Sequence, residues 1–267
     1  MLTLFADFMS GLGLPQSISL IAKLLSQFKA QTGETEMTIK AVIFDLDGTI
    51  VAFNLDYKAL RAEVRGYLIK MGVPGSVLSI KESVFDMLMK ADLLLTNAGK
   101  PASLIKDIRE ESLHLADKYE SEAAGQTSLL PGALETLKTL RKKGLKIGLC
   151  TNNSERSTRL IIERFKLTEY FDTITPRDHV SQMKPSPEHC EAAVKALDVS
   201  VSEVVFVGDS PIDMQGAREL KAIAVGLPTG ISTKEQLISQ GANYIMTSIV
   251  DLPRLIDAIN KGEKAQV

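Results

Sequence analysis

Two pairs of aspartates are spaced closely enough for each pair to act on a single ligand. Asp45 and Asp47 lie in KAVIFDLDGTI, and Asp209 and Asp213 lie in GDSPID. Neighbouring carboxylates can share one hard cation or one reacting phosphate, and their like charges resist both being ionised at once. A solvated, acid-rich turn is the alternative for either pair considered alone.

Two further segments carry side chains suited to an anionic ligand. Thr151 and Asn152 open TNNS, whose short polar side chains and free helix N–H groups suit phosphate oxygens, although a plain helix N-cap is the alternative. Lys184 lies in MKPSP, where two prolines would hold its ammonium beside a nucleophilic carboxylate. A solvated lysine is the alternative there. The four segments together predict phosphoryl chemistry.

The acid pair that is later in the sequence is predicted to bind a metal. Asp209 follows an apolar run and is the stronger candidate ligand. Asp213, one helical turn further, could bind the cation directly or through water, or could stabilise the helix N-terminus. The scattered histidines, His114, His179 and His189, are predicted to be surface or helix-end residues. General acid–base catalysis is therefore expected from carboxylates.

Apolar runs precede these segments and predict the strands that would carry them. Ala41–Phe44 is uninterrupted, as in a strand buried on both faces. The other candidates are 145–150, 173–175, 204–207, 222–225 and 244–246. Helices of ten or more residues lie between most of them, which predicts a parallel sheet with right-handed crossovers. Because carboxyl ends of parallel strands share one edge, the four segments are expected to meet there.

Between the first strand and the rest of the sheet, residues 54–125 carry three helical patterns and no strand-like run. The predicted apolar stripes are Leu60, Val64, Leu68 and Met71; Val77, Ile80, Val84, Met87 or Leu88, Ala91 and Leu94; and Leu104, Ile108, Leu115 and Tyr119. They predict an all-α cap domain inserted into an α/β core made of residues 37–53 and 126–267. Residues 1–36 are predicted to be an apolar, partly helical N-terminal extension.

Composition narrows the class of protein. Hydrophobic residues make up 45% of the chain and charged residues 24%, which is typical of a globular protein. A net charge of −2 with interspersed signs argues against a nucleic-acid partner. Cys150 and Cys190 cannot form a disulfide framework or a zinc site, so a cytoplasmic location is expected. No membrane span is predicted.

The order DLDGT, Thr151, Lys184 and GDSPID resembles the four motifs of the haloacid dehalogenase superfamily. Softer features over roughly residues 38–258 resemble its phosphoglycolate phosphatase-like branch, which has a helical cap. The resemblance implies a Rossmann-like parallel sheet. The second aspartate, Asp47, is absent from dehalogenases of the superfamily, so its presence favours phosphoryl chemistry.

The same resemblance implies roles for individual residues. Asp45 would attack phosphorus and form an aspartyl phosphate, and Asp47 would act first as general acid and then as general base. Mg²⁺ would be held by Asp45, the backbone carbonyl of Asp47 and Asp209. Thr151 and Lys184 would bind phosphoryl oxygens.

The expected activity is Mg²⁺-dependent hydrolysis of a small phosphomonoester, with 2-phosphoglycolate as one candidate. A phosphomutase of the β-phosphoglucomutase type has its histidine early in the cap, whereas His114 lies late. A phosphonate hydrolase would need a lysine motif near the start of the cap, and none surrounds Lys58 or Lys70. A non-catalytic, partner-binding protein is the third alternative. Candidate specificity residues, each more often solvated on an amphipathic helix, are Arg61, Arg65, Lys106 and Arg109.

Overall fold

The computed structural model of the protein describes residues 38–263. The predicted N-terminal extension, residues 1–36, lies outside the described residues. Within the described range, none of the helices has the length and apolarity that crossing a bilayer requires.

Six parallel strands form one sheet in the spatial order β3-β2-β1-β4-β5-β6. They are β1 (Ala41–Phe44), β2 (Lys146–Cys150), β3 (Thr173–Thr175), β4 (Val204–Gly208), β5 (Ile223–Gly226) and β6 (Tyr244–Ile245). The predicted parallel α/β sheet is therefore confirmed. The chain runs from β1 outward to β2 and β3 and then crosses back to β4 on the other side of β1, so the carboxyl end of β1 lies at the switch point where such sheets bind ligands.

Three helices are inserted between β1 and the remainder of the sheet. They are α1 (Tyr57–Lys70), α2 (Val84–Asn97) and α3 (Ala102–Gln126). We call them the helical insert. Most of their buried apolar side chains form a hydrophobic cluster that is separate from the two clusters against the sheet, whereas Ala124 of α3 packs in one of the latter.

Helices cover both faces of the sheet. They are α4 (Ala133–Lys142), α5 (Glu155–Arg164), α6 (Pro187–Ala196), α7 (Pro211–Glu219), α8 (Lys234–Ser239) and α9 (Leu252–Asn260). Val42 and Phe44 of β1 pack in one cluster with α4, α5 and α9, whereas Ala41 and Ile43 pack in the other with α6, α7 and α8. The alternation follows from the two-residue period of a strand and explains why β1 is apolar throughout.

The predicted second stripe of the insert is wrong at its start. Val77 and Ile80 lie in turns before α2, and the Ile80 side chain is 62% exposed. The helix begins after Ser83, whose hydroxyl accepts from the Asp86 N–H at 3.0 Å while the Asp86 carboxylate accepts from the Ser83 N–H. This capping box sets the start of α2.

The predicted stripe of α3 is wrong at Leu104 and omits most of the fully buried positions of this helix. Its buried positions recur every fourth residue and include polar side chains: Ile108, Ser112, Ala116, Glu120 and Ala124. Leu104 is 39% exposed, whereas Leu115 and Tyr119 are partly buried and pack against the hydrophobic cluster of the insert. The buried face of α3 includes polar side chains because the C-terminal half of this helix contacts α5 of the core, where polar partners are available for Glu120.

Candidate active site

The first acid pair lies directly beyond the carboxyl end of β1. The Asp45 N–H donates to the Val207 carbonyl of β4 at 2.9 Å, which ties the start of the acidic loop to the neighbouring strand. Two residues on, the Asp47 carboxylate accepts a 2.6 Å hydrogen bond from the Asn153 side-chain amide. The loop after β2 therefore contacts the loop after β1, as the parallel sheet predicts.

Lys184 is the cationic centre of this edge. Its side chain is only 3% exposed, and its ammonium donates to Asp45 Oδ1 at 2.7 Å, Asp213 Oδ1 at 2.6 Å and the Cys150 carbonyl at 2.6 Å. Three acceptors match the three N–H groups of an ammonium. The solvated alternative for this lysine is excluded.

His189 helps to hold the backbone of the lysine loop. It lies in the first turn of α6, which agrees with the predicted helix-end position, but it is completely buried and so is not at the surface. Its Nδ1 accepts from the Lys184 N–H at 3.2 Å, and its Nε2 lies 2.9 Å from the Thr175 carbonyl oxygen. These partners assign the neutral tautomer with the proton on Nε2.

The second acid pair faces the first across the edge of the sheet. Asp209 is 4% exposed and follows β4. A Cβ atom added at Gly48 or Gly230 would collide with Asp209 Oδ2, so the backbone approaches this carboxylate closely from two sides. Gly48 also has a φ of +76°, which glycine adopts without strain.

Both carboxylate oxygens of Asp213 already have protein partners. Oδ1 accepts from Lys184, and Oδ2 accepts from the N–H and the hydroxyl of Ser210 at 3.1 and 2.5 Å. The latter bonds cap the start of α7. Of the roles predicted for Asp213, the helix-terminal one is therefore present, together with an ion pair to Lys184.

The loop that follows β2 is built around buried polar groups. Thr151 is 1% exposed, and its hydroxyl accepts from the Asn153 N–H at 3.2 Å. The Asn152 amide donates to the Lys184 carbonyl at 2.8 Å, while its Oδ1 is buried without a hydrogen-bond partner. Asn153, which was not predicted as a site residue, is the one that contacts Asp47. Its place beside Thr151 and Asn152 was the only signal in the sequence.

Burial changes the acidity of these groups. Desolvation raises the pKa of Asp45 to about 6 despite the nearby Lys184, and it raises the pKa of Asp47 to about 7 despite the hydrogen bond from Asn153. Desolvation and repulsion by Asp45 and Asp213 raise the pKa of Asp209 well above its ordinary range. Burial alone would lower the pKa of Lys184, but Asp213 and Asp45 raise it well above the ordinary value. The ammonium thus stays charged.

Three of these carboxylates lie close enough together to surround a hard divalent cation, although both oxygens of Asp213 also accept hydrogen bonds from the protein. Asp45, Asp209 and Asp213 each offer an oxygen, and these oxygens lie within 4.8 Å of one another. Anionic oxygens are the ligands that Mg²⁺ takes in proteins, and the mutual repulsion of the acids would be relieved by a cation. The Asp47 carboxylate is outside this group and is bonded to Asn153.

The four arginine and lysine side chains considered for specificity have partners within the insert. The Arg61 guanidinium lies 4.0 Å above the Tyr57 ring, and Arg65 donates to two backbone carbonyls. Arg109 pairs with Asp92 at 2.8 Å, and Lys106 is 3.5 Å from Glu110 on the helix surface.

Sequence reasoning missed a buried ion pair next to this site. Glu120 of α3 and Arg177, which follows β3, form an ion pair with side chains 6% and 3% exposed. Glu120 also accepts from the Ser154 N–H at 2.9 Å. The signal in the sequence was weak, because Glu120 lies on a line of small residues and Arg177 is far from it along the chain.

A cleft of about 560 Å³ is bordered by Arg177 of this ion pair. It is bordered by one face of α3, the start of α5 and the turn after β3: Glu110, Leu113, His114, Asp117, Ser154, Glu155, Arg156, Arg159, Arg177 and Asp178. The four aspartates at the strand ends, Asp45, Asp47, Asp209 and Asp213, do not line this cleft. The candidate active site is therefore the acid cluster, where carboxylate oxygens that could hold a metal and a fixed ammonium converge.

The parallel sheet and its strand-end acids define an enzyme with an α/β core. Residues 39–221 match the haloacid dehalogenase-like hydrolases, and the chain belongs to that family. The predicted resemblance and the prediction of an enzyme of the hydrolase class are thereby confirmed.

The relatives include phosphatases and a pyrophosphatase. A phosphoglycolate phosphatase of Shigella dysenteriae is 30% identical over 230 residues, covering 80% of this chain and 91% of the relative. The pyrophosphatase PpaX of Bacillus mycoides is 27% identical over 230 residues, covering 84% of this chain and all of the relative. The crystal structure of a hydrolase from Pseudomonas syringae aligns with a TM-score of 0.60 and 26% identity, covering 82% of this chain and 99% of that one.

Proposed function

We propose that the protein is a Mg²⁺-dependent phosphatase that hydrolyses a small phosphomonoester through an aspartyl phosphate on Asp45, with 2-phosphoglycolate as the first candidate substrate. The observation that carries the proposal is the convergence of the Asp45 carboxylate with the Lys184 ammonium and the carboxylates of Asp209 and Asp213. The cytoplasmic location expected from the cysteines, and the role of the helical insert as a cap, belong to the same proposal.

In the first half-reaction, an oxygen of Asp45 attacks phosphorus and the bond from phosphorus to the ester oxygen breaks. Asp47 donates its proton to the departing oxygen, for which a pKa raised to about 7 is suited near neutral pH. In the second half-reaction, Asp47 takes a proton from water as the water oxygen attacks phosphorus. The bond between phosphorus and Asp45 then breaks, releasing inorganic phosphate and the free carboxylate.

The metal would be held by Asp45, Asp209 and the backbone carbonyl of Asp47. When bound, Mg²⁺ supplies positive charge between the anionic nucleophile and the anionic phosphate. We propose that Asp213 acts mainly through Lys184, since both of its oxygens have protein donors. Asp213 would then keep the ammonium fixed beside Asp45.

Thr151, Asn152 and Lys184 would bind the phosphoryl oxygens. The Lys184 ammonium is already directed at Asp45, so its charge is close to both the nucleophile and the transferring group. The Asn152 Oδ1, buried without a partner, is an acceptor available for a hydroxyl or an ordered water at the site.

A phosphoanhydride is the second candidate substrate class, favoured by the likeness to the Bacillus mycoides pyrophosphatase. The same attack by Asp45 would apply, with phosphate as the leaving group. Relative rates on 2-phosphoglycolate and inorganic pyrophosphate would rank the two classes.

The experiment is a phosphate-release screen of the purified chain across phosphate esters, pyrophosphate and β-glucose 1-phosphate, with Mg²⁺ or with EDTA. Asp45→Asn should abolish release, whereas Asp257→Asn, which removes an exposed partner of Lys143 on α9, should not. Phosphate release that persists in Asp45→Asn or in the presence of EDTA would contradict the proposed mechanism. Conversion of β-glucose 1-phosphate without release would indicate the mutase, and inactivity on every compound would favour a binding protein.

A further inference from the structure

The ion pair between Glu120 and Arg177 joins the helical insert to the core. Glu120 comes from the C-terminal half of α3, and Arg177 lies in the turn after β3. Both side chains are almost completely buried. Arg177 also donates to the Leu113 carbonyl of α3 at 3.3 Å, so the guanidinium contacts the same helix at two levels.

The pair also fastens the backbone of the loop after β2 at three successive residues. The Arg177 side chain donates to the Asn152 carbonyl at 2.9 Å, and its backbone N–H donates to the Asn153 carbonyl at 3.1 Å. The Glu120 carboxylate accepts from the Ser154 N–H at 2.9 Å. The backbone around Asn153 is therefore held on both sides.

Asn153 carries this constraint to the proposed general acid. Its amide donates to Asp47 Oδ2 at 2.6 Å, and that bond fixes the direction in which the carboxyl group points. A proton donor must lie within hydrogen-bond reach of the leaving oxygen, so small rotations of Asp47 alter proton transfer more than they alter substrate binding.

Attachment of the insert alone does not require this arrangement. Buried ion pairs are costly to desolvate, and well-packed apolar side chains often join helices as well or better. Three of the hydrogen bonds made by these two residues go to the loop after β2, whose Asn153 contacts Asp47, and an apolar contact could not orient that loop in the same way.

We propose that Glu120 and Arg177 are positioning residues, which hold the loop after β2 so that Asn153 orients Asp47 for proton transfer. The proposal rests on the proposed function of the site. It adds that residues of the helical insert control the efficiency of acid catalysis in the core.

The test compares phenyl phosphate with p-nitrophenyl phosphate, two esters of similar shape. Phenolate is the poorer leaving group and needs protonation, whereas the nitro group stabilises the departing anion. For Glu120→Gln we expect kcat/KM to fall about tenfold on phenyl phosphate and no more than about twofold on p-nitrophenyl phosphate, since general acid catalysis contributes roughly 10²- to 10⁴-fold.

Two further variants separate positioning from general damage. Asn153→Ala should give the same leaving-group-dependent loss, and Glu120→Gln/Asn153→Ala should be no worse than Asn153→Ala alone, because the two changes act on one contact. Asp92→Asn, which removes the partner of Arg109 on the surface of the insert, is the matched control and should alter neither ester.

Glu120→Gln leaves the Arg177 charge buried without its partner and could unfold the chain. Glu120→Leu/Arg177→Met avoids this because it removes both charges together. It should remain folded by thermal melting and show the same selective loss on phenyl phosphate.

An equal loss on both esters in folded variants, or additive effects of Glu120→Gln and Asn153→Ala, would overturn the proposal. A wild-type chain that releases no phosphate from either ester would instead count against the proposed function itself.

Discussion

At the scale of single residues, Lys184 determines the charge balance of the site. Its ammonium is the hydrogen-bonded cation between Asp45 and Asp213, with a side chain 3% exposed. Removing it would leave two buried carboxylates facing Asp209 without their cation. The position and the charge of the Lys184 ammonium are therefore expected to affect both the stability of the fold and the proposed phosphoryl transfer.

Lys184→Met should lower the free energy of unfolding by about 3–5 kcal/mol, because breaking a buried ion pair leaves an uncompensated charge. Phosphate release should be lost as well. Urea unfolding without added metal measures the first effect. Lys195→Met is the control: its ammonium is an exposed partner of Glu191 on α6, and such pairs contribute at most about 1 kcal/mol. Equal losses for the two variants would contradict this account of Lys184.

At the scale of elements, the turn after β1 depends on Gly48. Its φ of +76° is disfavoured for other residues, and a side chain would enter the space of the Asp209 carboxylate. Gly99, after α2, has a φ of +70° but no atom within 4 Å of an added Cβ. Substitutions at these two glycines therefore distinguish the effect of backbone strain, which both share, from the effect of crowding at the proposed metal site, which only Gly48 has.

Gly48→Ala and Gly99→Ala should each destabilise the fold, by roughly 1–2 kcal/mol for the left-handed conformation. Only Gly48→Ala should also lose phosphate release, with partial recovery at higher Mg²⁺, because only there does the methyl group displace a proposed ligand. Unfolding curves and Mg²⁺ titrations of activity measure the two effects. Full activity in folded Gly48→Ala would argue against a metal at Asp209.

The elements also mark where prediction from sequence succeeded and where it failed. β1 and the acid loops were predictable, because a buried strand is an unbroken apolar run and the aspartates follow it directly. α2 was extended too far because apolar spacing continues through the turn at Val77 and Ile80, whereas the capping box at Ser83 sets the boundary. The buried face of α3 was predicted incompletely because it includes Glu120, which apolar periodicity cannot identify.

At the scale of the whole molecule, the parallel sheet was predictable from alternating strands and helices, but contacts between distant segments were not. Asn153 and Asp47 are 106 residues apart, and Glu120 and Arg177 are 57 apart. Such pairs form because the sheet brings loop ends together and α3 returns to the core. A single sequence does not show which distant residues lie close together in space. The site could therefore be predicted as a set of loops, but the hydrogen bonds between those loops could not.

A metal that binds only the folded chain should stabilise the whole molecule. Mg²⁺ at about a hundred times its dissociation constant should add about 2.7 kcal/mol to the free energy of unfolding and raise the melting temperature. Asp209→Asn should remove most of this increase, whereas Asp257→Asn should retain it. Melting curves with Mg²⁺ and with EDTA provide the measurement. An undiminished Mg²⁺ effect in Asp209→Asn would place the cation elsewhere.

The central claim is that Asp45 carries the phosphoryl group during turnover. It is tested most directly by acid-quenching the enzyme as it hydrolyses a radiolabelled phosphate ester with Mg²⁺, then locating the label in peptides. We expect label on the wild-type peptide that contains Asp45 and no labelled protein for Asp45→Asn. Label recovered on a peptide without Asp45, or on the Asp45→Asn protein, would contradict it.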